Sequence, residues 1–91
     1  MSERPMTTWT HPRHPLIEAG MMIRCGKPRI AGSRWDTASL VDRFRGGDSV
    51  KKLARDYSHV GNASVIEAAL RFEFDASAKR AWRKWYREGG K

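Results

Sequence analysis

"DSVKKLARDYSHVGNASVIEAALRF", residues 48 to 72, is the stretch on which the fold turns. Val50, Leu53, Ala54 and Tyr57 recur at i, i+3, i+4 and i+7, which places them on one apolar stripe of a helix. Asp48 or Ser49 stands where the N-cap of that helix belongs. Ser58-His59-Val60-Gly61 reads as a tight turn. Asn62 then caps a further helix that turns Val65, Ile66, Ala69 and Leu70 inward and runs to about Phe72.

Working outward toward the N-terminus, Asp36 or Thr37 opens a helix whose apolar face is Leu40, Val41 and Phe44, and Gly46-Gly47 closes it. Helix, two-glycine break, short helix, turn, helix is the organisation of a trihelical helix-turn-helix unit. A plain three-helix bundle that never meets nucleic acid has the same pattern, so pattern alone leaves both readings open. Before these helices, Gly20 to Arg24 is an apolar run of strand length, Cys25-Gly26-Lys27 is a turn, and Pro28 to Ile30 is a second short strand. Pro28 has no N–H to donate, so this strand belongs at a sheet edge. The glycine-punctuated segment "CGKPRIAGSR", residues 25 to 34, is architectural on this reading. Gly26 relieves a tight turn and Gly32 permits close approach to the helices. It is not a phosphate-cradling loop, which needs the longer G-x-x-x-x-G-K-[ST]. Arg34 either bonds helix-end carbonyls or contacts a partner.

Residues 1 to 14, with Pro5, Pro12 and little periodicity, read as an N-terminal arm. His11 and His14 have the spacing of a metal pair, but no cysteine or third histidine stands near, which favours solvated side chains and no metal site. Residues 15 to 74 form the folded domain, and residues 75 to 91 a basic C-terminal helix and tail.

The chain has 91 residues and a net charge of +8, and the distribution of that charge is uneven. Residues 1 to 35 carry six Lys and Arg against two acids, residues 36 to 75 six against seven, and the last sixteen six against one. Basic character therefore lies at the two ends. In "SAKRAWRKWYREGGK", residues 77 to 91, Ala78, Ala81, Trp82 and Trp85 form one helical stripe, with Lys79, Arg80, Arg83, Lys84 and Arg87 around it. Two readings follow: the tryptophans cover the domain's own core, or they anchor a partner, since Trp and Arg dominate interface hot spots. The second reading assigns partner binding to Arg80, Trp82, Arg83, Lys84, Trp85 and Arg87.

A chain of this length leaves little room for an enclosed cofactor pocket. No apolar run reaches the roughly 20 residues of a membrane span, and the start lacks the apolar core of a secretory signal. A cytoplasmic location is expected, with no membrane partner. The single cysteine excludes an internal disulfide. No histidine, cysteine or carboxylate constellation supports catalysis, so no enzyme and no cofactor are expected.

The stretch from Gly26 to Glu73 resembles the family catalogued as domain of unknown function 433. Gly26, Lys27, Pro28, Ile30, Gly32 and Arg34 follow its G-K-P-x-I-x-G-T-R element, with Ser33 in place of threonine. Gly47 and Ser49 match its junction, Leu53 and Ala54 its second helix, and Val65, Ala69 and Leu70 its last. The resemblance covers roughly residues 18 to 73 and leaves out the basic tail. It implies a mainly α fold: a homeodomain-like helix-turn-helix behind a short N-terminal β-hairpin, here with an extra C-terminal basic amphipathic helix. It also implies antitoxins that act beside PIN-like nuclease toxins.

Two functions are then expected. The first is an antitoxin-like DNA-binding regulator, homodimeric, that also neutralises an acidic partner such as a PIN-like toxin. Ser64, Glu67 and Arg71 would face the bases, and Lys51, Lys52 and Arg55 the phosphates. The second is a protein-binding adaptor that keeps the helical scaffold without reading DNA.

Overall fold

A computed structural model of the chain describes residues 8–20 and 26–89. Three strands and four helices follow in order: β1 (Thr8–His11), β2 (His14–Gly20), β3 (Arg29–Ile30), α1 (Thr37–Arg45), α2 (Val50–Asp56), α3 (Ala63–Glu73) and α4 (Ala76–Arg87). The fold is mainly α with a small antiparallel sheet of order β1-β2-β3.

The hairpin lies earlier in the chain than the sequence suggested. β1 and β2 pair through Thr8↔Gly20, Trp9↔Ala19 and Thr10↔Glu18, with an irregularity at His11 beside the Pro12-Arg13 turn. Residues 8 to 14, read as arm, are therefore sheet. The signal was Thr-Trp-Thr-His, whose alternation turns the ring of Trp9 inward and leaves Thr8 and Thr10 exposed. Of the expected strand from Gly20 to Arg24, Gly20 ends β2 and the remainder lies outside the described residues, as do Cys25 and residues 1 to 7.

The second expected strand shortens to Arg29–Ile30 and occupies the sheet edge, paired through Ile17↔Ile30 and Glu18↔Arg29. Pro28 serves through its carbonyl instead, which accepts the Thr37 amide at 3.0 Å as α1 begins. Gly32 is needed for conformation and not for space. Its φ is +79°, in the left-handed region, and nothing lies within 4 Å of where a Cβ would stand. Close approach belongs to Gly61, where a Cβ would meet the Val65 side chain at 2.7 Å.

Two of the three expected helix caps formed as side-chain bonds. The Ser49 hydroxyl accepts the Lys52 amide at 3.1 Å, and Asn62 Oδ1 accepts the Ser64 and Val65 amides at 3.0 and 3.3 Å. Asp36 precedes α1, but its carboxylate accepts the Ser39 hydroxyl at 3.0 Å and caps no helix amide. α3 is the centre of the molecule, packed on α1, α2, α4, β2 and β3. Leu40, Leu53, Ile66, Ala69 and Phe72 are fully buried around it with Ile17 of the sheet.

Phe44 departs from the expected core. It is 37% exposed in the last turn of α1, which ends one residue later. Its ring meets Phe74 edge-on at 6.2 Å instead. The same end of α1 is tied to α2 by Arg43, which donates to Asp48 at 2.8 Å and to Asp56 at 2.7 Å.

Candidate functional site

Two surfaces carry chemistry: the outer face of α4, and a groove where α1, α3 and the β1–β2 turn meet. α4 starts at Asp75, whose Oδ1 accepts the Ala78 amide at 3.1 Å. Its other oxygen, Oδ2, receives His14 Nε2 at 2.8 Å and the Arg13 guanidinium at 3.1 Å. The His14 bond first, then the Ala78 amide and Arg13, hold this carboxyl far below the ordinary aspartate range. His14 is thus a strut between hairpin and helix, committed to a carboxylate, and the H-x-x-H spacing with His11 reflects the turn between two strands.

The apolar stripe of α4 is spent on the chain's own fold. Ala78 is fully buried and Trp85 is 6% exposed. Trp85 lies 6.4 Å from Trp9 of β1, and Trp9 in turn meets Phe72 edge-on at 5.9 Å. The indole N–H of Trp82 donates to the Gly26 carbonyl at 2.8 Å, which binds the helix to the loop before β3. On the same helix Lys79 reaches Glu73 at 2.8 Å, and the other Glu73 oxygen accepts the Thr37 hydroxyl. Of the two readings of this stripe, the packing favours the first: Trp85 is buried and Trp82 is half-buried against the core. What remains outside is Arg80, Arg83, Lys84 and Arg87, all exposed. Among the described residues none of these four forms an ion pair. From Arg80 to Arg87 the helix rises about 10 Å, so four cations stand on one short rod.

Of the residues expected to face DNA, Lys51 and Arg55 are exposed on α2. Lys52 is only half-buried, but its ammonium is engaged with Asp56 at 3.1 Å, one helical turn on. Asp56 is pulled below its ordinary value by Arg43 first and by Lys52 second. Ser64, Glu67 and Arg71 are exposed on α3 at positions that share one face. α2 and α4 both pack on α3, so the basic helices are held by the same central element.

Glu67 and Arg71 also border the second surface, a groove of about 860 Å³ lined by Phe44, Leu70 and Phe74 together with Arg13, His14 and Asp75. In the sequence His14 counts only as half of a metal pair and Arg13 only as an arm residue for a minor groove, and nothing there singles out the exposed Phe44–Phe74 pair. They lie far apart in the chain, and the only signal was an apolar residue at the very end of each of two helices. The junction role considered for Arg34 belongs to Arg29. Arg29 is buried and donates to the Ser33 carbonyl at 2.9 Å and to Glu18 at 2.8 Å. Arg34 is exposed and makes no hydrogen bond among the described residues.

The folded unit is therefore a small sheet backed by helices centred on α3, with a cationic outer helix and no helix long and apolar enough to cross a membrane among the described residues. Its sequence matches a family model described as protein of unknown function (DUF433) over residues 17–72, and the chain belongs to that family. No curated protein and no solved structure matches the chain. The matched span runs from β2 to the end of α3. It leaves out β1 and α4, the two elements that meet through Trp9 and Trp85.

Proposed function

We propose that the chain is a DNA-binding regulator of the antitoxin type, in which α1, α2 and α3 act as a homeodomain-like helix-turn-helix. α3 would present Ser64, Glu67 and Arg71 to base edges, while cations on α4 and α2 hold the phosphates. One observation carries the reading: Arg80, Arg83, Lys84 and Arg87 stand exposed, and unpaired among the described residues, on a helix whose opposite side is fixed in the core. Phosphate neutralisation supplies most of the sequence-independent affinity for a duplex. The exposed face of α3 offers one arginine against one glutamate and adds little net attraction. The grip then falls to α4, with Lys51 and Arg55 on α2. Lys52 contributes less, because Asp56 already holds it. The same four cations are complementary to the carboxylate cluster of a PIN-like nuclease, which gives the regulator its second, neutralising role. A homodimer would double both sets of contacts.

A specific observation favours a second reading, the protein-binding adaptor: Phe44 and Phe74 are exposed side by side, which nothing in DNA recognition requires. Fluorescence anisotropy with a short labelled duplex separates the two. The DNA reading expects binding at about 50 mM salt that weakens steeply toward 200 mM. Substitution of Lys51 and Arg55 by alanine lowers affinity for all sequences alike, and Arg71→Ala changes sequence preference. Absence of duplex binding at low salt refutes this reading in favour of the adaptor.

A further inference from the structure

We infer that the outer side of α4 holds single-stranded nucleic acid, with the phosphates of the strand on Arg80, Arg83 and Arg87 and an unpaired base stacked on the ring of Tyr86. The inference rests on the phosphate-gripping role proposed for α4 and adds to it the state of the strand that the helix selects. Of the four large apolar side chains exposed among the described residues, Tyr86, at 41%, is the one carried by α4. Its ring lies 5.6 Å from that of Trp82, one turn earlier, with 32° between the planes, the spacing of an offset aromatic stack. Trp82 is itself held, half-buried against the core and donating its indole N–H to the Gly26 carbonyl at 2.8 Å. Tyr86 is therefore a ring braced from within, and its hydroxyl makes no hydrogen bond among the described residues.

Charge and position name the occupant. At about 100° per residue, Arg80, Arg83 and Arg87 fall within about 60° of one another, on the side of α4 opposite Ala78 and Trp85. Tyr86 flanks that stripe three residues after Arg83, which makes the two side chains helical neighbours. Lys79 adds nothing, because Glu73 already holds it at 2.8 Å. Arg80, Arg83, Lys84 and Arg87 remain, unpaired among the described residues, against the single acid Glu88 within residues 76 to 89. One strand of a B-form helix carries a phosphate per roughly 3.4 Å, so the roughly 10 Å from Arg80 to Arg87 matches about three. Phosphates alone would serve a duplex equally well. The aromatic ring decides between the two, because paired bases are stacked on one another and only an unpaired base offers its face. An acidic protein segment would satisfy the cations but does not call for a ring set beside them. The apolar stripe of α4 is buried in the fold, so the helix has none to lay into a lipid surface.

The test uses the full chain and fluorescein-labelled oligonucleotides of about 12 nucleotides, followed by anisotropy: a thymidine DNA strand, a uridine RNA strand, an abasic DNA strand with the same phosphates and no bases, and a DNA duplex. The thymidine and uridine strands are expected to bind within about twofold of each other, since neither phosphates nor base faces report the 2′-hydroxyl, and the abasic strand at least about fivefold more weakly. Tyr86→Ser should lower affinity for the thymidine strand to that of the abasic one and leave duplex affinity unchanged, while Tyr86→Phe keeps the parent behaviour; circular dichroism confirms that each variant is folded. Equal binding of the thymidine and abasic strands, or a Tyr86→Ser variant that binds thymidine DNA as tightly as the parent, overturns the stacking and leaves the phosphate grip standing. The inference is also overturned if a strand binds only as RNA, or if polyglutamate displaces the thymidine strand at equal charge concentration, because the helix then takes any anion. Failure to bind every one of these oligonucleotides, the duplex included, refutes the grip proposed for α4 and the inference with it.

Discussion

Replacing Trp85 by alanine should unfasten α4 from the rest of the molecule, and the size of the effect follows from its burial. The side chain is 6% exposed and faces Trp9 at 6.4 Å. Burying about 200 Å² of aromatic surface at about 25 cal/mol per Å² corresponds to about 5 kcal/mol. Allowing for surface already hidden in the unfolded chain reduces this to about 3 to 4 kcal/mol, in line with measured costs for such truncations. A domain of this size is held by about 5 to 14 kcal/mol in total. Urea unfolding followed by far-ultraviolet circular dichroism should therefore show the midpoint falling by about 2 M, for a denaturant slope near 1.5 to 2 kcal/mol/M. Trp9→Ala should cost a comparable amount. The double variant should cost less than the sum, because the two rings share one contact. A loss below about 1 kcal/mol for Trp85→Ala, the behaviour of a surface residue, refutes the packing argument and returns Trp85 to the role of partner anchor.

Two further outcomes test the frame around that helix. Asp75 has its carboxyl lowered in the folded state by His14, Ala78 and Arg13, so the unfolded chain takes up its proton first as the medium is acidified. Its contribution is fully present above the ordinary aspartate pKa of about 3.9 and is lost as pH falls through the lower folded value. Asp75→Asn should accordingly flatten the decline of the urea midpoint below about pH 4, whereas an unchanged slope contradicts the Asp75 network. Gly61→Ala places a methyl 2.7 Å from the Val65 side chain and should cost about 1 to 3 kcal/mol in thermal melts; an unchanged melting temperature contradicts the close approach.

Much of the helical frame was legible because its signals are local. Ser49 and Asn62 cap their own helices, and the stripe from Val50 to Tyr57 needs no knowledge of what covers it. Strand β1 escaped because four residues, Thr8 to His11, give a weak alternation, and because Pro12 reads as irregularity until its partner strand is known. The fate of Trp85 depended on Trp9 at the opposite end of the chain, and no spacing rule connects them. Phe44 satisfied the helical period yet came out exposed, since periodicity says which side a residue faces and not whether anything lies opposite. Arg29 and Arg34 are equivalent in composition, but only Arg29 lies on a strand that brings it to Glu18. The candidate site was half visible: the cations of α4 stand in the sequence, whereas the groove joins Arg13, Phe44, Arg71 and Phe74 only in three dimensions.

The claim on which the functional account depends is that the exposed cations of α4, held rigid by the tryptophans beneath them, grip an anionic target. Its most direct measurement is the slope of log affinity against log salt for a duplex, for the parent chain and for a variant with Arg80, Arg83, Lys84 and Arg87 changed to glutamine. At about 0.9 per neutralised phosphate, the account predicts a slope shallower by about 3 to 4 in the variant. An identical slope and affinity in the two proteins would contradict it.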